Sequence, residues 1–403
     1  MNSYNVLIEI GEFRNRGDFM MMETACEQVR RRFPDANLVA PVRLFDEQPG
    51  WCRAHKLLPL APLPRHFGRR LRLRLDRFVS RRFFKRASFL LPDEIDLVLY
   101  ATGYRYSDHF VRYYTERSVA DEEAYMTSFT KRGRKLVLMP QAFGPFETTL
   151  ARGKMLGLYR HVDLVFARER KSYECLMGIL PGATNVFQSP DFTCLCEPAP
   201  DAVRFPEKSY VVVIPNQRMV THTPEAVSSA YVPFCEKVIA SLLEKGERVV
   251  VMNHQEGDDE ELISALAAKF GGRLTTVARL TGSGCKDVIA RSKLVVSSRF
   301  HGAVSGLVTG IPTFCTSWSH KYVELMAEHG RPGNVLDVLK PDEAVAKIVD
   351  ALARPDEYRS APGRTESIRA KVAEMWGRIF ALVPDHARSA VLVRNVPSSK
   401  LWK

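Results

Sequence analysis

The chain has 403 residues, 45% of them hydrophobic, and a formal net charge of +12; that length predicts two domains, each with its own core. No apolar run of about eighteen residues occurs, which argues against a membrane-spanning helix. The eight cysteines lack framework spacing, which argues against a disulfide scaffold and for reduced thiols in a cytosolic protein.

The N-terminal MNSYNVLIEIGEF carries glutamates and no basic leader, so it reads as a first strand rather than a signal peptide. Apolar runs follow in order: YNVLIEI, ANLVAP, IDLVLYATG, KLVLMPQAFG, DLVFARE and NVFQSPD, with helical stretches between most of them. Between the second and third runs lies RHFGRRLRLRLDRFVSRRFFKRA, residues 65–87, within a basic insertion near 51–90. Two readings of it stay open: a basic amphipathic helix that touches an anionic membrane surface through residues 65–86, or a solvated surface helix. No helix-turn-helix, zinc-finger or RNA-binding signature accompanies it, so nucleic acid is not an expected partner.

Cys194 and Cys196 form a lone C-x-C with no second ligand pair nearby, and no metal is expected there. The Pro-rich stretch at 196–208 reads as a linker. After it come YVVVIPNQ, RVVVMNHQE, RLTTVAR, KLVVSSRF, IPTFCTSW and NVLDV. Alternating strands and helices in both halves predict α/β architecture, with two doubly wound Rossmann-like domains built on parallel sheets. The expected division is 1–195, 196–208 as linker, 209–362, and a helical segment at 363–403 that can pack back on the N-terminal domain.

In open parallel sheets, ligands bind beyond the carboxyl ends of the strands. The polar or glycine-bearing residues there include Asn15, Gly17, Asp18, Gly103, Gln141, Gly144, Arg168 and Asp191 in the first half. In the second half they include Asn216, His254, Arg299, His301 and Lys321. Facing rows of this kind predict an interdomain cleft. The sequence SSRFHGAVSGLVTGIP places Arg299 and His301 where an apolar strand hands over to a small-residue helix.

The NRGD loop, PQAFGPF, ARERKS, SPDF, NHQEGDDEEL and above all SSRFHGAVSGLVTGIPTFCTSWSHKYVEL together resemble the polysaccharide pyruvyl transferase family, from about residue 5 to about residue 325. Residues 51–90 have no counterpart in that resemblance. It implies a two-domain GT-B-like fold with phosphoenolpyruvate as donor substrate. It also implies transfer of pyruvate, as a cyclic ketal, onto two hydroxyls of a sugar in a cell-surface polysaccharide, a glycan or a lipid-linked precursor. By motif, Arg299 and His301 match the family's donor-binding and catalytic pair. Arg168 matches a second donor arginine, with Arg170 two residues on competing for that role.

Elementary chemistry agrees with such a donor. A phosphate with a second pKa of about 6, added to a carboxylate, demands at least two cations, and planar guanidinium forks suit both groups. The helix that starts near His301 adds N–H groups and a positive dipole end, with Gly302 and Ala303 leaving room for close approach. His301 suits proton transfer near neutral pH. Lys321 either touches phosphate or is a solvated helix residue. Asp18 either caps its helix or, like Asn15 and Gln141, contacts the acceptor; Gln141 could equally close a turn. His254 and Asp258 are either cleft residues or ordinary loop residues, and Asp191 is equally open. No cofactor is expected, and the expected location is cytoplasmic, with peripheral contact at the inner membrane face through residues 65–86. Two rival readings remain: a GT-B glycosyltransferase that uses a nucleotide sugar, and a non-catalytic protein that binds anionic glycans or lipid headgroups.

Overall fold

The structure, a computed structural model, describes residues 4–61, 88–108, 111, 114–130, 133–200, 205–206 and 208–384. The basic segment at 65–87, with its membrane-contact reading, lies outside the described residues, as does the chain from 385 onward.

Among the described residues, twelve strands fall into two wholly parallel sheets. The first contains β1 (Asn5–Ile10), β2 (Asn37–Pro41), β3 (Leu58–Leu60), β4 (Leu97–Ala101), β5 (Lys135–Gln141), β6 (Leu164–Ala167) and β7 (Val186–Gln188), in the order β3-β2-β1-β4-β5-β6-β7. The second contains β8 (Val211–Ile214), β9 (Val249–Met252), β10 (Leu274–Val277), β11 (Leu294–Ser297) and β12 (Thr313–Cys315), in the order β10-β9-β8-β11-β12. In both sheets the winding reverses beside the first strand, the hallmark of doubly wound Rossmann-like domains.

The near-continuous apolar runs follow from burial on both faces. In the second sheet Val211, Val213, Val249, Val251, Leu294 and Val296 enter one core cluster, while Val212, Ile214, Val250, Met252 and Val295 enter another. Side chains alternate across a strand, so each strand supplies both layers. One helix, Glu225–Glu244, is long and apolar enough to cross a membrane by length and composition alone; Tyr231, Phe234, Cys235, Val238, Ile239 and Leu242 on it are buried in the core of the second sheet.

The chain divides into two compact units: residues 1–13, 25–189 and 374–403 form one, and residues 14–24 and 190–373 form the other. The expected boundaries need correction in four places. Residues 14–24 join the second unit because Arg16 pairs with Glu256 and Glu23 accepts from the Ser283 N–H at 2.7 Å. Residues 190–195 join it too, with Lys286 Nζ donating to the Thr193 carbonyl at 2.9 Å. The described residues of 196–208 fall in that unit as well, and Phe205 packs on Tyr210 with centroids 4.9 Å apart. The C-terminal helix, Arg364–Ala381, divides at Glu374; in the first unit Phe380 meets Phe33 edge-on at 5.3 Å.

Two strand expectations also change. β3 is an unpredicted edge strand of three residues, centred on Pro59, which has no N–H to betray a ladder. NVLDV is not a strand: Val335 makes a single bridge to Cys315 after a tight turn at Pro332–Asn334.

Candidate functional site

In the second unit the winding reverses between β8 and β11, and the residues just past these strands form the site. The backbone there is fixed by a buried polar network. The Ser298 N–H donates to the Ile214 carbonyl at 2.8 Å, and the Ser298 carbonyl accepts from Asn216 Nδ2 and from the Tyr322 hydroxyl, each at 2.8 Å. Ser297 Oγ accepts from the Arg299 N–H at 3.2 Å and donates to its carbonyl at 2.7 Å. Every backbone turn leading to Arg299 is thereby held.

Arg299 is buried, and its guanidinium grips Asp259 through two bonds, Nε to Oδ2 at 2.8 Å and Nη2 to Oδ1, while Nη1 donates to Gln255 Oε1. A guanidinium has five N–H donors, so these contacts leave one on each terminal nitrogen. Asp259 is fully buried and neutralises much of the charge a ligand would meet. The sequence reading pointed to its neighbour Asp258, whose half-exposed side chain takes only a Gln255 amide at 2.8 Å and a distant Arg218. The helix Glu260–Phe270 begins right after Asp259, and this places the second carboxylate rather than the first against the strand ends.

His301 lies in the first turn of the helix Phe300–Val308, with Nε2 3.2 Å from Asp191 Oδ2, close enough for an ion pair but not aligned as a hydrogen bond. The other Asp191 oxygen accepts from the Thr193 N–H at 2.9 Å and caps the turn Phe192–Leu195. One carboxylate therefore fixes a loop and faces an imidazole. On the far side the ring lies against the backbone of Gly17, where a Cβ would stand 2.0 Å from His301 Nδ1. Asn15 sets this backbone: its Oδ1 accepts from the Gly17 N–H at 2.9 Å, an N-cap for the helix Arg16–Arg32.

His254 completes the cluster. It is fully buried, neither ring nitrogen has a hydrogen-bond partner, and its carbonyl accepts from the Arg16 N–H at 2.9 Å. Burial, reinforced by Arg299, His301 and Arg16, holds its pKa well below the ordinary histidine value, so it is neutral.

Other expected residues stand differently. Gly302 does not open space for a ligand: a Cβ there would meet Ser297 Oγ at 2.5 Å and Ile214 Cδ1 at 2.7 Å, so its bareness lets the helix sit on β8 and β11. Lys321 is not a solvated helix residue. It is buried, with Nζ over the rings of Trp318 at 4.3 Å, Tyr322 at 5.5 Å and Phe300 at 5.6 Å, a cation–π cage. Asp18 is buried in the first turn of its helix, whose cap is Asn15 and not Asp18.

In the first unit, Arg168 is buried just past β6, its N–H donating to the Gln141 carbonyl at 3.0 Å. Arg170 is largely exposed and pairs with Glu174 at 2.7 Å, so of the two arginines Arg168 is the inward one. Gln141, at the end of β5, is fully buried, with Oε1 accepting from Thr102 Oγ1 at 2.8 Å and Nε2 without a hydrogen-bond partner. Among the described residues, no group of three or more His, Cys, Asp or Glu side chains is placed to hold a metal ion. Cys194 is buried, its thiol pushed up to about 12 by burial.

The cluster of Arg299, His301, Asp191 and a neutral His254 can bind an anion, keep an imidazole beside a carboxylate and move a proton. The family model for polysaccharide pyruvyl transferase matches residues 15–320. No curated protein is significantly similar in sequence. Among solved structures, the chain is similar to a UDP-GlcNAc 2-epimerase from Methanocaldococcus jannaschii in complex with UDP-GlcNAc and UDP, with TM-score 0.58, 9% identity, and coverage of 92% of this chain and 99% of that one. The UDP-GlcNAc 2-epimerase from Neisseria meningitidis bound to UDP-GlcNAc gives TM-score 0.58 at 10% identity, covering 94% and 100%. Anabaena Alr3699/HepE in complex with UDP-glucose gives 0.56 at 12%, covering 94% and 98%. At such identities the likeness is one of fold.

Proposed function

Because this chain belongs to the polysaccharide pyruvyl transferase family, we propose that it moves pyruvate from phosphoenolpyruvate onto two hydroxyls of one sugar in a glycan, forming a cyclic ketal. The observation that carries this reading is the His301–Asp191 pair, 3.2 Å apart, next to an arginine at the sheet's reversal point. In the proposed reaction, a proton delivered to the donor's methylene carbon leaves a cationic centre at C2. One sugar hydroxyl attacks C2 and loses its proton; the C2–O bond to phosphate breaks; the second hydroxyl then attacks and loses its proton. Of the two protons released, one replaces the proton taken up by the methyl group and the other leaves with inorganic phosphate.

His301 is the proposed proton carrier, oriented by Asp191. Arg299, locked by Asp259 and Gln255, offers its two remaining N–H groups to the donor's carboxylate or phosphate. Neutral His254 adds no charge and leaves the anion to Arg299. For the first unit, the proposal is that Arg168 binds an anionic group of the substrate.

The test is calorimetric titration of the full chain with phosphoenolpyruvate, UDP and UDP-glucose, repeated on Arg299→Lys and His301→Gln. Arg299→Lys retains a charge for Asp259 while removing the fork. The expected result is donor binding that weakens in Arg299→Lys, with both uridine ligands silent. Binding of UDP-glucose with no response to phosphoenolpyruvate overturns the reading.

A further inference from the structure

The first unit carries a carboxylate where its fold calls for an aliphatic side chain. Glu9 lies in β1, a strand otherwise buried along Val6–Ile10, and is itself buried. A charge in a parallel-sheet interior is costly unless it is paired. Glu9 accepts from the Tyr125 hydroxyl at 2.9 Å and faces Arg43 at 3.4 Å. A sequence that breaks its own pattern at such a cost marks a functional position.

Above Glu9 opens a cavity of about 620 Å³, lined among others by Arg43, Arg105, Arg117, Asp121 and Tyr125, within the usual range for small-molecule sites of about 300–1,000 Å³. Glu122 also lines it; it accepts from the hydroxyls of Tyr100 at 3.1 Å and Tyr106 at 3.0 Å and pairs with Lys154 at 2.9 Å and with Arg105 at 3.0 Å. The cavity lies at the ends of β1 and β4, where the winding of the seven-stranded sheet reverses, the position at which doubly wound sheets bind ligands.

Three acids, Glu9, Asp121 and Glu122, and three arginines, Arg43, Arg105 and Arg117, line it. Balanced charge disfavours a polyanion such as phosphoenolpyruvate or a nucleotide. Carboxylate acceptors and guanidinium donors set side by side, as in the pairs Arg43–Glu9 and Arg105–Glu122, match hydroxyl groups, each of which donates once and accepts twice. We propose that this cavity binds the neutral hexose of the glycan acceptor; the role as acceptor rests on the pyruvyl transfer reading, whereas the hexose binding does not.

The experiment is saturation-transfer NMR on the full chain with methyl β-galactoside, methyl β-glucoside and methyl α-mannoside, alongside phosphoenolpyruvate titration. Two variants accompany it: Arg117→Trp, which fills the cavity from an exposed helix position, and Tyr125→Phe, which removes the hydroxyl on Glu9. At least one glycoside is expected to bind, at least about tenfold more weakly in Arg117→Trp, with melting temperature and phosphoenolpyruvate binding unchanged. The proposal is overturned if no glycoside binds, if glycoside binding is unaffected by both variants, or if UDP-glucose is the ligand that Arg117→Trp displaces. Glycoside binding that Arg117→Trp weakens, in a chain that does not bind phosphoenolpyruvate, keeps the hexose site and removes the pyruvyl transfer reading instead.

Discussion

Replacing Gly17 by alanine tests the geometry of the proposed catalytic histidine with one methyl group. The new Cβ would lie 2.0 Å from His301 Nδ1 and 2.6 Å from Cγ, whereas ordinary contact begins at 3.4 Å. The ring must therefore retreat by about 1.4 Å on the Nδ1 side, and its 3.2 Å approach to Asp191 cannot survive. Gly17 has no left-handed backbone to defend, so alanine gains about 1 kcal/mol of helix propensity against an overpacking cost of about 1–3 kcal/mol. The net destabilisation is at most about 2 kcal/mol, small enough for the protein to fold. Misplacement of a reacting group by about 1 Å, in contrast, costs about a hundredfold in rate. The assay is phosphate release from phosphoenolpyruvate in the presence of an acceptor glycan, paired with thermal melting. A Gly17→Ala protein with native turnover would refute the assignment of His301 as the proton carrier held between Gly17 and Asp191.

Asp259→Ala strands Arg299 as a buried charge without its carboxylate, and urea unfolding is expected to show a loss of about 3–5 kcal/mol; a loss below about 1 kcal/mol would mean that the pair contributes little. Stability should also fall in mild acid. Burial and the charges around it hold His254 well below its ordinary value, and burial with Arg364 lowers His329 to about 4. Below the unfolded value of about 6.5 the unfolded chain takes up protons that the fold refuses, so this contribution is full above about pH 6.5 and lost as pH falls. Near pH 5 His329 alone gives a slope of about 1.2 kcal/mol per pH unit, and His254 adds to it in the same direction. Urea midpoints at about pH 7, 6 and 5 read it, and His329→Gln should make it shallower; a flat profile would refute the argument.

The strands were legible because burial on both faces writes itself as apolar runs, and Arg299 and His301 were legible because a strand end and a helix start flank them. Their partners were not. Asp259 and Gln255 are 40 and 44 residues away, and nothing local separates Asp259 from Asp258. Gly17 belongs to an N-x-G-D motif that is common, and its function is only to be small beside a ring from the far end of the chain. The surroundings of Lys321 have a local signal: Trp318 and Tyr322 flank it closely enough on one helix start to cage its charge. Glu9 was visible too, as one acid inside an apolar run. Gly302 shows the converse, a motif glycine whose neighbours are strand side chains.

Residues 14–24 belong with residues 190–373 and not with the segments on either side of them. The second unit is therefore assembled from two stretches made at different times on the ribosome, and the earlier one waits for most of the chain before its partners exist. Contacts so distant in sequence slow folding. They also set a rule for recombination: a chimera that exchanges the C-terminal half with that of a relative at residue 190 would pair a foreign His301 with a native Gly17 and Arg16. The interchangeable part is residues 190–373 together with this eleven-residue stretch near the N-terminus.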